Sequence, residues 1–370
     1  MDDRREVRAL AIDDDDESRT TLERLSRYGV QCTAIPPPRA DAFPEEIFAR
    51  IEQEEIDVVL LDFRLDDQAP PEDTPVSYRG GMLAAAIKEK LPIPIVLVTT
   101  EEKLREYVTD NPRIRSLFDH TLLKSQIGGR PRERQRAGTE ITDLAKGFRQ
   151  IRHALHHPGS AEKSKQAVRD LLNIDSQEFS RLEERLRVPV PVKTAEFASW
   201  LLQGLLIYPG PLLDGDEACS RLGLTRKAFA KEKVQAWAAG ARYQGVFGEL
   251  HSRWWEGRLL TGLQKAAGDE STGKAQKRAA AIARECGEGS LAAARCSWCR
   301  EGLVQRACHL CREAVDTTHH LVARVDERPG WALPAIVCFR CIATGLDEGI
   351  PSIRYGPGSR HLIAELKGLE

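Results

Sequence analysis

The sequence predicts an α/β fold at its N-terminus, a doubly wound five-stranded parallel sheet, followed by a mainly α-helical middle domain and a small zinc-bound C-terminal module. Three observations carry this. Short β-branched apolar runs alternate with helix-period segments over residues 7–124, no convincing strand follows before about residue 300, and three Cys-x-x-Cys pairs crowd residues 291–370. At 370 residues the chain exceeds what one core usually organises. The expected division is an α/β domain over 1–127, a linker over 128–138, a helical domain over 139–290 and the cysteine-rich module over 291–370.

Composition narrows the classes. Hydrophobic residues make up 41% and charged residues 30%, and the apolar runs are too short and interrupted to cross a bilayer. The start, MDDRREVRALAIDDDD, lacks the apolar core of a signal peptide, so a cytoplasmic protein without a membrane span is expected. In a reducing compartment, cysteines spaced Cys-x-x-Cys are metal ligands sooner than disulfides. The net charge of −2 means that any nucleic-acid affinity has to come from a local basic patch.

The strands are expected at 7–13, 30–36, 56–62, 93–100 and 118–124, with helix-period segments such as ESRTTLERLSRYG and FPEEIFARIEQEE between them. In an open parallel sheet the working residues lie beyond the carboxyl ends of the strands. Here those ends carry Asp13 and Asp14, Asp62, Thr99 and Lys124. Clustered carboxylates suit Mg²⁺, which takes one or two of them and binds phosphate oxygens with its other positions. Asp62 is then the nucleophile that accepts a phosphoryl group, while Thr99 and Lys124 bind its oxygens.

This pattern resembles the receiver domain of two-component response regulators, a flavodoxin-like fold. The resemblance implies that Asp13, Asp14 and Asp62 hold Mg²⁺, Asp62 is the phosphoacceptor, Thr99 the switch hydroxyl and Lys124 the conserved-type lysine. Ser125 replaces the proline usual after the lysine, Thr121 replaces the usual switch aromatic, and the loop RLDDQAPPEDTPVSYRGG is longer than the family norm. His120 beside the site reads as incidental.

In the middle, TEITDLAKGFRQIRHAL and SAEKSKQAVRDLLNIDSQEFSRLEERL have helical periodicity, with His153, His156 and His157 at a helix end where imidazoles meet the negative end of the dipole. Residues 216–237, DEACSRLGLTRKAFAKEKVQAW, have the pattern of a helix-turn-helix. Cys219 and Gly223 take its small-residue and turn positions, and Arg226, Lys227, Lys231 and Lys233 are the nucleic-acid-binding candidates. Tyr243, Phe247, Trp254 and Trp255 are expected to pack helices against one another, although aromatics among arginines can also stack bases.

The pairs Cys296/Cys299, Cys308/Cys311 and Cys338/Cys341, with His319 or His320 between them, supply ligands for one zinc, or for two. Cys32, Cys219 and Cys286 stand outside the pairs and read as buried small hydrophobes. CHLCREAVDTTHHLVARVDERPGWALPAIVCFRC resembles the zinc-stabilised HNH endonuclease motif. That resemblance implies a structural zinc on Cys308, Cys311, Cys338 and Cys341, a metal-ligand role for His319 and a general-base role for His320. The asparagine and histidine that complete the family's site fall at Leu333 and Ile342, which points to a treble-clef module without nuclease chemistry.

The function expected is that of a phosphorelay response regulator. A histidine kinase or kinase-like ATPase phosphorylates Asp62, and the helical and zinc modules then change their binding to DNA or protein, with a phosphorylation-dependent dimer also implied by the resemblance. The alternatives are a phosphorylation-gated HNH-like nuclease acting through His320, and a pseudo-receiver scaffold in a multiprotein, defence-type assembly.

Overall fold

The computed structural model describes residues 5–38, 44–65, 79–110 (side chains to 106), 116–156, 160–186, 188–189, 193–268, 270–325, 328–348, 350 and 353–368. His157 and most of the long loop after Asp62, residues 66–78, lie outside them. The chain divides into two compact units: Met1–Ser176 with Val188–Gln203 and Gly245–Leu250, and Gln177–Arg187 with Gly204–Gln244 and His251–Glu370.

The first unit is built on five parallel strands: β1 (Val7–Ile12), β2 (Val30–Ile35), β3 (Val58–Leu61), β4 (Ile95–Thr99) and β5 (His120–Leu123). Their order is β2-β1-β3-β4-β5. Each expected strand is present and somewhat shorter than its apolar run. A parallel sheet needs a crossover between neighbours, which α1 (Asp16–Glu23), α2 (Glu45–Gln53), α3 (Gly80–Lys90) and α4 (Glu101–Asp110) supply. Strand β3 is buried on both faces, so its sequence VVLL is uniformly apolar rather than alternating. Leu10, Ile12, Val59, Leu61, Ile95 and Leu97 form the core beneath α2 and α3 with Ile47, Leu83 and Ile87.

The linker expected over 128–138 is helical instead. After α5 (Lys124–Gly128), the helix α6 begins at Pro131 and runs to Leu155. Proline suits the first helical position, and Glu133 Oε2 accepts the Arg130 N–H at 2.7 Å. Two glycines of α6 are packing notches. A Cβ on Gly138 would lie 2.6 Å from the Tyr28 carbonyl oxygen, and one on Gly147 would overlap the Phe247 ring. Arg149 of α6 donates to both oxygens of Asp57, at 2.9 and 2.7 Å, and α7 (Ala161–Leu172) and α9 (Thr194–Trp200) complete this unit. The boundary expected near residue 128 therefore falls inside the first unit, because α6 buries Ile141, Leu144, Phe148 and Ile151 and packs on β2, α5, α7 and α9.

The second unit contains α8 (Ser176–Leu186) from Gln177 onward, the two-residue strands β6 (Leu212–Leu213) and β7 (Trp254–Trp255), and the helices α10 (Gly215–Leu222), α11 (Arg226–Phe229), α12 (Glu232–Ala238), α13 (Glu256–Ala267) and α14 (Ala275–Glu285). The expected helix-turn-helix is present only in its first half. Gly223 takes the left-handed conformation that ends α10, but the second helix breaks in two, with Lys231 extended between α11 and α12. Trp254 packs edge-on against Phe229, and Tyr243 against Trp255.

The cysteine-rich module follows as β8 (Val304–Ala307), β9 (Ala314–Asp316), β10 (His320–Val325), β11 (Ala335–Cys338), α15 (Phe339–Ala343), β12 (Ile353–Tyr355) and α16 (Arg360–Leu366). β8 and β9 form a hairpin, and β10 lies between β11 and β12 in an antiparallel sheet. Among the described residues, no helix is long and apolar enough to cross a membrane.

Candidate phosphoacceptor site and cysteine clusters

Asp13 follows β1, Asp62 follows β3, Thr99 is the last residue of β4 and Lys124 opens α5 directly after β5. Because these strands are parallel neighbours, their carboxyl ends fall together. Lys124 Nζ lies 2.6 Å from Asp62 Oδ2 and 2.8 Å from Asp13 Oδ2. Ligand oxygens of Asp13, Asp14 and Asp62 lie within 4.8 Å of one another, which fits a small oxygen-seeking cation such as Mg²⁺.

Electrostatics in the site are tense. Burial raises the pKa of Asp13, and the Asp62 charge adds to it against the Lys124 hydrogen bond. Burial works against the Lys124 ammonium, yet the Asp62 charge and the bonds to Asp13 and Asp62 outweigh it and hold the pKa above the ordinary lysine value. Thr99 is wholly buried, and its hydroxyl has no hydrogen-bond partner among the described residues. A buried hydroxyl without a partner is costly and is ready to receive one.

Several supporting residues were not singled out in the sequence. Ser18 Oγ accepts from Lys124 Nζ at 3.1 Å, Arg19 donates to the Asp13 carbonyl at 2.5 Å, and the Asp15 side chain caps α1 through the Ser18 N–H at 2.8 Å. Gly80 packs on the backbone of Asp62 and Phe63. The signal for Ser18 was its place in the first helical turn after the acid pair, whereas Gly80 lies in a Gly-Gly step that carries no local mark of its role. Asp15, Glu17, Ser18, Thr21, Lys124 and Ile127 line a surface cleft beside the lysine. His120 is paired, with Nε2 at 3.2 Å from Glu140.

The cysteines form two groups. Cys308, Cys311, Cys338 and Cys341 have sulfurs mutually within 4.8 Å, with separations of 3.8 Å for Cys308/Cys341, 3.7 Å for Cys311/Cys338 and 3.4 Å for Cys338/Cys341. Tetrahedral zinc with bonds near 2.3 Å requires sulfurs about 3.8 Å apart. This donor set therefore fits zinc. The second group is Cys296, Cys299 and His319. His320 is not part of it; its Nδ1 lies 3.0 Å from the Asp316 carbonyl oxygen. His319 lies in the turn that leads into β10 and His320 is the first residue of that strand, and only His319 falls with the cysteine pair.

The basic candidates of the expected helix-turn-helix do not form an uncompensated cationic face. Arg226 Nε pairs with Asp216 at 2.6 Å, and Lys231 and Lys233 both pair with Glu288, at 2.7 and 3.7 Å, while Lys227 is exposed. Cys32 and Cys219 are buried as expected, whereas Cys286 is half-buried.

No family model and no curated protein matches the chain. Solved structures similar to it include the receiver domain of the TMAO respiratory system response regulator TorR, at 17% identity and a TM-score of 0.27 over 38% of this chain and 98% of that one. Others are a CheY-like receiver domain from Methylobacillus flagellatus, at 19% identity and 0.23 over 32% and 86%, and the chemotaxis response regulator CheY4 of Vibrio cholerae, at 15% and 0.27 over 37% and 99%.

Proposed function

We propose that the chain is a response regulator whose first unit accepts a phosphoryl group on Asp62 and whose second unit acts as the effector. The observation that carries this reading is Lys124 held between Asp62 and Asp13, at 2.6 and 2.8 Å, at the strand ends where Thr99 presents a buried, unpartnered hydroxyl. In the reaction a carboxylate oxygen of Asp62 forms a bond to phosphorus while the donor's bond to phosphorus breaks, the leaving group being the imidazole of a phosphohistidine or the acetate of acetyl phosphate. Asp13, Asp14 and Asp62 would hold Mg²⁺, which would supply charge neutralisation for the incoming phosphate oxygens. Lys124 exchanges its carboxylate partner for a phosphoryl oxygen, and the Thr99 hydroxyl donates to another. The donor is a histidine kinase or kinase-like ATPase, and Asp62 is the residue it modifies.

The effector reading favours contact with protein over DNA. Three of the four expected basic residues sit within 4 Å of acids, which lowers the positive field that phosphate recognition needs. Nuclease chemistry is disfavoured because the two positions that complete the HNH site are filled by Leu333 and Ile342, neither of which can bind a metal or orient a base. Intact mass after incubation with acetyl phosphate and Mg²⁺ tests the central step. A phosphoryl adduct on the wild-type chain but not on Asp62→Asn is expected; no adduct from acetyl phosphate or from a phosphorylated kinase would leave the unit a docking platform without phosphorylation.

A further inference from the structure

We propose that Cys296, Cys299 and His319 form a second zinc site, separate from the four-cysteine cluster, with three protein ligands and a fourth position taken by an exogenous donor such as water. The inference is independent of the phosphoacceptor reading.

The first support is an internal repeat. CSWCRE (296–301) and CHLCRE (308–313) have the same pattern twelve positions apart, and their backbones match bond for bond. Cys296 N–H donates to the Glu301 carbonyl at 2.8 Å and Cys308 N–H to that of Glu313 at 2.8 Å. Arg300 N–H donates to the Cys296 carbonyl at 3.1 Å and Arg312 N–H to that of Cys308 at 3.0 Å. Arg300 and Arg312 both sit in the left-handed region, at φ 64° and 60°, which a non-glycine residue adopts only when the surroundings require it. The second copy holds two thiols of a cluster with zinc-like spacing. The first copy builds the same turn and points its pair at an imidazole instead of at two more thiols.

The second support is the donor chemistry. Two thiolates neutralise a divalent ion, and Cys₂His with one open position is an established zinc donor set. His319 Nδ1 lies 3.4 Å from the Thr318 hydroxyl, which in turn bonds Asp316 Oδ1 at 2.8 Å. A proton on Nδ1 donated along that path leaves the Nε2 lone pair for a metal, the usual outer-shell arrangement of a ligating histidine. Cys296 is fully buried while Cys299 and His319 are partly exposed, so the site has a closed side and a side open to solvent. Among the described residues no fourth histidine, cysteine or carboxylate belongs to the group.

Metal content of the full-length chain by native mass spectrometry tests the proposal. The wild type is expected to retain two zinc ions, Cys299→Ser one and His320→Ala two, while His319→Ala lowers affinity for the second equivalent by at least ~tenfold. With cobalt in place of zinc, azide is expected to change the visible spectrum of the wild type and not that of Cys299→Ser. One zinc in the wild type, two undiminished zincs in both Cys299→Ser and His319→Ala, or a wild-type cobalt spectrum indifferent to azide would each overturn it.

Discussion

The backbone of Gly80 lies against the carbonyl of Asp62: a Cβ on residue 80 would overlap that oxygen and stand 3.1 Å from the carbonyl carbon. The Gly80 N–H also donates to the Phe63 carbonyl at 2.8 Å, so the start of α3 is clasped to the segment that presents Asp62. Gly80→Ala is therefore expected to cost about 1–3 kcal/mol in urea unfolding through overpacking. The same variant should slow adduct formation with acetyl phosphate, because relief of the overlap displaces Asp62 from Lys124. Unchanged stability and rate would show that the backbone yields freely there.

Thr99→Val replaces a buried hydroxyl, without a partner among the described residues, with a methyl group of similar shape. Removing such a group should leave the unphosphorylated protein as stable or about 1–2 kcal/mol more stable. If Asp62 is phosphorylated as proposed, the adduct is still expected on Thr99→Val, but hydrogen exchange around β4 is expected no longer to respond to it. Loss of stability in Thr99→Val would instead place a partner on the hydroxyl in the resting protein.

Asp13 gives a pH dependence with a definite sign. Burial and the Asp62 charge raise its pKa, so its ionised form is less favourable in the folded chain than in the unfolded one. The resulting cost is fully present above the raised value and vanishes as pH falls toward the ordinary 3.8. Asp13→Asn, measured without divalent metal, should be more stable than the wild type at pH 7. The difference should shrink on acidification, and also when Mg²⁺ is added.

Zinc loading of the four-cysteine cluster should release protons. Hydrogen bonding from Cys308 and Cys338 holds the Cys311 thiol up, and burial pushes Cys341 up to about 12, while donation from Cys308 and Cys311 lowers Cys338. Chelation should unfold the module, since structural zinc contributes on the order of 10 kcal/mol to sites of this kind. Cys308→Ser should reproduce the effect. A thermal profile unaffected by a strong chelator would argue against a structural metal there.

The five strands, the placement of Asp13, Asp62, Thr99 and Lys124 at their ends and the pairing of cysteines by twos were all legible in the sequence. Each is written locally, in a short apolar run, a 3.6-residue period or a fixed spacing. Tertiary structure alone decided the rest. Nothing local to Gly138 and Gly147 marks them as packing positions; Tyr28 and Phe247, far off in sequence, fill the space beside them. Lys231 and Lys233 read as part of a cationic face until Glu288, more than fifty residues on, is seen to pair with both, while Arg226 turns back to Asp216 of the preceding helix. The choice of His319 rather than His320 for the Cys296/Cys299 pair depends on which face of the turn into β10 meets the first knuckle. Local pattern specifies which groups are available at a strand end or a turn. Which of them meet is set by packing between segments distant in sequence, and no spacing within one segment records it.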